Sequence, residues 1–289
     1  MSFFVSLFLL TTSLFALDIS VPSTTVSNGR TAILFFKKEK GVTYTKLLDG
    51  KRSYRIFEDP KDSSKMYALL PQNYYNKPAK HTVKVLYKQN KKSLVKKLNF
   101  NVVDGKYAKE TIHVQKSKVN PKSKAVKKRT AREYAEAMKI YGKATAKNYV
   151  SSAYIVPLNS KITSDFGKAR VYNDTLKGYH SGTDFRAKVG TPIISSNDGK
   201  VVLAKNRFYS GNSIIINHGQ GIYTCYYHLS AFKVKVGDIV KKGQIIGLSG
   251  ATGRITGPHL HFSARVGGLQ VDPLQLVTLL NKNLYGVHK

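Results

Sequence analysis

The chain has 289 residues, 42% of them apolar, which is enough for one large or two ordinary cores and excludes a disordered polymer. Its 48 Lys and Arg against 16 Asp and Glu give a formal net charge of +32, which favours polyanionic surroundings such as nucleic acid, anionic lipid or an acidic wall polymer without choosing among them. A single cysteine excludes an internal disulfide framework.

Residues 3–16 (FFVSLFLLTTSLFA) form an apolar run followed at once by Asp18 and Pro22. The run has the length of a signal-peptide core and is too short to cross a bilayer of about 30 Å as a helix. Residues 1–16 are therefore expected to be a secretory signal cleaved near Ala16, giving an exported protein with no stable membrane span.

Residues 17–104 read as an antiparallel β-sandwich-like accessory domain. Residues 31–36 (TAILFF), 43–48, 81–87 (HTVKVLY) and 94–103 (LVKKLNFNVV) are short β-rich runs separated by turn-rich stretches such as Asp49-Gly50. No cluster of His, Asp or Cys with ligand spacing falls here, so an accessory, positioning or masking role is expected, with His81 and His113 structural or solvated. Residues 105–150 read as a basic linker and helix. Between Gly105 and Asn148 stand thirteen Lys or Arg against three Glu. The first half, with Pro121, reads as solvated linker. The second, residues 130–147, carries Tyr134, Met138 and Tyr141 at helical spacing and predicts one helix packed on a neighbouring domain. Aromatics among basic residues are also a nucleic-acid signal, but an exported protein seldom meets that partner, so none is expected.

Residues 151–289 are again β and richer in glycine. The runs 199–204, 213–217 and 244–247 are bounded by Gly-containing turns, and no long helix is evident before the apolar stretch 273–280. The fold class is thus mainly β, ending in a two-layer or barrel-like antiparallel domain. Cys225, within Tyr223-Thr224-Cys225-Tyr226-Tyr227, reads as a buried, inert strand residue.

Five of the eight histidines fall between residues 180 and 261 of this last segment. In Pro258-His259-Leu260-His261-Phe262, read as a strand, the period of two puts both imidazoles on one side about 7 Å apart along the backbone. Upstream lies Tyr179-His180-Ser181-Gly182-Thr183-Asp184, where Gly182 argues for a strand-to-loop segment rather than a helix. Between them lies Tyr226-Tyr227-His228-Leu229. Together these stretches offer two His and one carboxylate to a metal, with two further His left over.

The motifs Ser164-Asp165-Phe166-Gly167, His180 to Asp184, Gly211-Asn212-Ser213, Asn217-His218-Gly219, Tyr227-His228-Leu229-Ser230, Gly237-Asp238 with Lys242-Gly243-Gln244, and Thr252-Gly253 through Gly257 to Phe262 occur in an order that closely resembles the LytM/lysostaphin-type zinc metallopeptidases, which cut peptidoglycan cross-links. The resemblance covers about residues 151–275. It implies one Zn2+ held by His180, Asp184 and His261, with His228 and His259 in catalysis. Two imidazoles and one carboxylate leave a fourth tetrahedral position for water, the arrangement of a catalytic zinc. The usual metallopeptidase base is a glutamate, and residues 151–289 contain none, so histidine must substitute.

The implied function is cleavage of peptidoglycan peptide stems or cross-links, as a D,D-endopeptidase and/or D,D-carboxypeptidase, in the periplasm or cell envelope. With no wall-anchoring domain after residue 289, D-Ala to diaminopimelate cross-links are expected rather than glycine bridges. The rival reading is a non-enzymatic regulator of other wall hydrolases, a role betrayed by substituted motif positions; all three ligands and both accessory histidines are present here. His218, Asp165 and Asp238 are expected to be structural or turn residues, Arg170 and Asn212 to be solvated unless they touch substrate, and His288 to be solvated.

Overall fold

The computed structural model describes residues 17–113, 122–172 and 176–287. The apolar run expected to be a signal, residues 114–121 of the basic linker, residues 173–175, and His288 with Lys289 lie outside the described residues. Among those described, no helix is long and apolar enough to cross a membrane.

The N-terminal strands form two sheets. A four-stranded sheet runs in the order Ile19–Ser20, Thr31–Lys37, Lys65–Pro71, Phe57–Glu58, and a five-stranded one in the order Thr25–Ser27, Lys92–Val103, Ala79–Gln89, Val42–Asp49, Arg52–Tyr54. They share a core containing Leu34, Phe36, Leu47, Val83, Val85 and Phe100. The run TAILFF does not alternate with polar residues because its strand is covered on both faces. Leu34 and Phe36 face the second sheet, while Ile33 packs with Tyr67, Leu276 and Leu280 against the C-terminal helix Pro273–Leu284. That helix begins where Asp272 accepts from the backbone N–H groups of Leu274 and Gln275 and Pro273 supplies a preset first turn.

The C-terminal half is built on one antiparallel sheet. Its order is Ile162–Ser164, Thr183–Arg186, His259–Val266, Ile222–Leu229, Gly211–Gly219, Gly199–Arg207, Ile239–Val240, with Leu269–Val271 paired alongside the end of His259–Val266. A sheet with two buried faces explains another unbroken run, Ser213-Ile214-Ile215-Ile216. Ile214 and Ile216 join Tyr226, Leu260 and Phe262 on one face; Ile215 joins Leu203, Tyr223 and Cys225 on the other.

The helix that covers this second face runs over Lys124–Tyr141, not over 130–147. It starts earlier because Lys124 onward holds good helix formers with no proline, and it stops at Gly142. Its packing face is Ala137 and Tyr141, with Met138 beside them, whereas Tyr134 is 65% exposed, so the expectation that Tyr134 packs is corrected. Cys225 is fully buried, as expected, with Tyr141 Oη 3.3 Å from its sulfur. The segment expected to be linker also contributes a strand, Lys109–Ile112, which pairs in parallel with Ala169–Tyr172, itself paired to Leu176–Tyr179.

Candidate metal centre

The helix Lys124–Tyr141 covers only part of the second face of the central sheet, and the site occupies another part of it. Cross-strand partners share a face, and the register pairs Asp184 with His261 and His261 with Tyr227. Those three side chains therefore emerge side by side, and His259 follows His261 by two residues as the H-x-H spacing predicts. His180 arrives from the turn between Leu176–Tyr179 and Thr183–Arg186, as expected for a strand-to-loop segment. Gly182 in that turn passes so close to the neighbouring strand that a Cβ would lie 2.4 Å from the Phe262 carbonyl oxygen and 2.6 Å from His261 Nε2.

His180, Asp184 and His261 converge, each buried, with one ligand atom apiece lying within 4.8 Å of the others. His180 Nε2 stands 2.9 Å from Asp184 Oδ1 and 3.0 Å from His261 Nδ1, and His261 Nδ1 is 2.8 Å from the same Oδ1. The tautomers decide what this trio wants. His180 Nδ1 lies 2.7 Å from the Asp165 carbonyl oxygen, which only accepts, so Nδ1 carries the proton. Neutral His180 then presents a bare lone pair at Nε2 to a carboxylate oxygen. Two acceptors 2.9 Å apart repel unless a positive charge lies between them. The donor set, two imidazole nitrogens and one carboxylate oxygen, is that of a catalytic zinc, whose bonds of about 2.0–2.2 Å put neighbouring donors only a few tenths of an ångström farther apart than they stand here. The residues present fit a divalent ion.

Burial opposes ionisation of Asp184, but positive charge or a donated proton on the facing His180 and His261 nitrogens outweighs it and holds the carboxyl well below the usual range. Burial likewise drives His261 down to about 4 against the pull of Asp184, so its imidazole is neutral near pH 7, as a metal ligand must be.

His228 and His259 flank the trio, their ring centroids 5.0 Å apart and that of His228 6.0 Å from His261. Both repeat the device seen at His180: His228 Nδ1 donates to the Thr252 carbonyl at 2.7 Å and His259 Nδ1 to the Gly257 carbonyl at 2.8 Å. Each is left with Nε2 available as a proton acceptor. His259 Nε2 is 3.5 Å from Asp184 Oδ1. Strict alternation would send His228 to the opposite face from Tyr227. A bulge prevents this: Asn212 pairs with Leu229 and Ile214 with Tyr226, so His228 is the extra residue, at φ 62° in the left-handed region. A non-glycine residue held there costs on the order of 1–3 kcal/mol, and such strain gathers at functional sites. Burial then lowers His228 to about 3, with His261 and His259 adding to the effect.

Tyr227 stacks its ring on His261 at 5.4 Å with planes 6° apart, and its hydroxyl is 3.4 Å from that of Tyr141. The cleft over the trio is lined further by Arg170, Tyr209, Arg254 and Ile112. Arg170 thus faces the site, while Asn212 is engaged with Asn206. His218 is structural, its Nδ1 donating to the Asp198 carbonyl and its Nε2 2.7 Å from Thr224 Oγ1. Asp238 closes a turn onto Lys235. The sequence reading missed the carbonyls of Asp165, Thr252 and Gly257, because a backbone acceptor leaves no mark on residue type.

Residues 178–273 match the family model described as peptidase family M23. This chain carries an M23 domain. The peptidoglycan DD-endopeptidase ShyA of Vibrio cholerae is 46% identical over 122 residues, 41% of this chain and 28% of ShyA. The DD-carboxypeptidase/endopeptidase Mpg of Neisseria meningitidis is 43% identical over 97 residues, 34% of this chain and 22% of Mpg. The chain spans less than a third of the length of either relative. A solved structure from Pseudomonas aeruginosa named for peptidase M23 superposes with a TM-score of 0.65 at 23% identity, covering 87% of this chain and 94% of that one. Its likeness in fold therefore reaches well beyond the M23 domain.

Proposed function

We propose that this chain is an exported, zinc-dependent peptidoglycan hydrolase of the cell envelope, cutting peptide stems or cross-links as a D,D-endopeptidase and/or D,D-carboxypeptidase. The observation that carries the reading is the convergence of His180 Nε2, Asp184 Oδ1 and His261 Nδ1 to within 2.8–3.0 Å of one another, two imidazole nitrogens and a carboxylate oxygen brought together on an M23 domain. These residues would hold one Zn2+, which when bound lowers the pKa of water and polarises a carbonyl. The curated relatives named for DD-endopeptidase and DD-carboxypeptidase activity support the substrate class.

The chain's own groups supply the rest. His228 and His259, each with Nδ1 committed to a backbone carbonyl and Nε2 bare, take a proton from the attacking water and return it to the leaving amine. Once protonated, either imidazole also stabilises charge developing on the carbonyl oxygen. No glutamate competes for the role within residues 151–289. Arg170 and Arg254, on the cleft wall, suit a substrate rich in carboxylates, and the net charge of +32 draws the protein toward an acidic wall, an attraction that salt screens.

The test is digestion of defined muropeptides by purified protein, with products identified by mass. Wild type should release products of amide cleavage, and His259→Ala should lose about 10²–10⁴-fold in turnover while keeping its zinc. An inert wild type that binds no zinc refutes the proposal.

A further inference from the structure

The strands Lys109–Ile112 and Ala169–Tyr172 both lie before the stretch that matches the family model; they pair in parallel, opposing Glu110 to Arg170. Glu110 Oε1 accepts from Arg170 Nε at 2.5 Å, and its second oxygen is 3.5 Å from Lys168 Nζ. The guanidinium also donates to Ser164 Oγ at 3.1 Å. The same terminal nitrogen, Nη2, stands 3.6 Å from Asp184 Oδ2, the oxygen not shared with the histidines. That separation is beyond a hydrogen bond but within ion-pair range. Burial would raise the Glu110 carboxyl, but the bond to Arg170 outweighs it and keeps it below the usual range.

Arginine pairs most strongly with a carboxylate when two N–H groups meet two oxygens. An Arg170 released from Glu110 would close the 3.6 Å gap and take Asp184 in that way, in competition with any ion. With Nε held by Glu110 and a terminal nitrogen by Ser164, it cannot turn that edge to Asp184. We propose that Glu110, from outside the M23 domain, is a positioning residue for the metal centre: it fixes Arg170 close enough to orient Asp184 through Oδ2 and too far to withdraw that carboxylate from the ion. The inference rests on the metal reading above. It makes the segment before the peptidase domain part of the site.

The experiment uses the full chain, with zinc affinity measured by competition against a chromogenic chelator and melting of the metal-free protein recorded in parallel. Glu110→Ala should weaken zinc binding about 10-fold or more, the range seen when partners of metal ligands are removed. Glu110→Gln, whose amide oxygen still accepts from Nε, should retain most of the affinity. Glu110→Ala combined with Arg170→Ala should recover part of the loss, because the competing cation is gone. Metal-free melting should change little in Glu110→Ala. Affinity unchanged in Glu110→Ala, or a double variant no better than the single one, overturns the proposal. A wild type that binds no zinc instead removes the metal reading itself, so the two failures are distinguishable.

Discussion

Gly182→Ala is the most economical perturbation of the centre, because it adds one methyl group and removes nothing. The new Cβ would stand 2.4 Å from the Phe262 carbonyl oxygen, 2.6 Å from His261 Nε2 and 2.9 Å from His261 Cε1, all below the 3.0 Å that real Cβ contacts respect. None of these neighbours is a loose side-chain end. Phe262 is paired with Thr183 across the sheet, and the His261 ring lies flat on Tyr227. The two strands must separate by several tenths of an ångström, and overpacking of this kind costs about 1–3 kcal/mol. At about 2–4 °C per kcal/mol for a chain of this size, melting falls by several degrees but the fold survives. Catalysis is less forgiving: a constellation must hold to about 0.5 Å, and a 1 Å misplacement costs about 10²-fold. Gly182→Ala should therefore turn over muropeptides about 100-fold more slowly while melting cooperatively a few degrees early. Wild-type turnover in a folded variant would refute the claim that this close approach sets the position of His261.

Metal removal should be visible without any substrate. If the trio binds zinc, the ion at 100 times its dissociation constant should stabilise the chain by about 2.7 kcal/mol, and a chelator should abolish the gain; superimposed melts with and without zinc would contradict the site. His218 should make stability pH-dependent. Burial holds its folded pKa at about 4 against an ordinary 6.5, so between these values the unfolded chain binds more protons. Its contribution is then full above pH 6.5 and is lost as pH falls through 4, a change on the order of 3 kcal/mol. His218→Gln should flatten the dependence in denaturant titrations across that window, and an unchanged slope would count against it.

Much of the site was legible because its logic is local. The H-x-H of His259 and His261 needs only strand alternation to present two imidazoles together, and Gly182 between His180 and Asp184 announces a tight turn. The unbroken runs at TAILFF and Ser213 to Ile216 were readable as strands, but not as strands with both faces covered, because what covers them comes from distant parts of the chain. Tyr134 misled for a related reason: on a helix lined with Lys and Arg, aromatic spacing marks two faces equally well, and only the sheet decides that Ala137 and Tyr141 pack. The side of the sheet that His228 faces depends on a register shift between Asn212 and Ile214 that no residue type encodes. Glu110 sits 60 positions before Arg170 in a stretch that reads as basic linker, so its part in the centre is visible only once the parallel pairing is seen.

The bulge at His228 has an evolutionary side. Deleting His228 would restore ideal pairing between Tyr226 and Leu229, relieve a left-handed backbone and take an imidazole out of the cleft. Such a chain would gain order and lose a reactive group in one step. Selection for heat tolerance alone would therefore favour an inert descendant, and only continued demand for turnover preserves the irregular version.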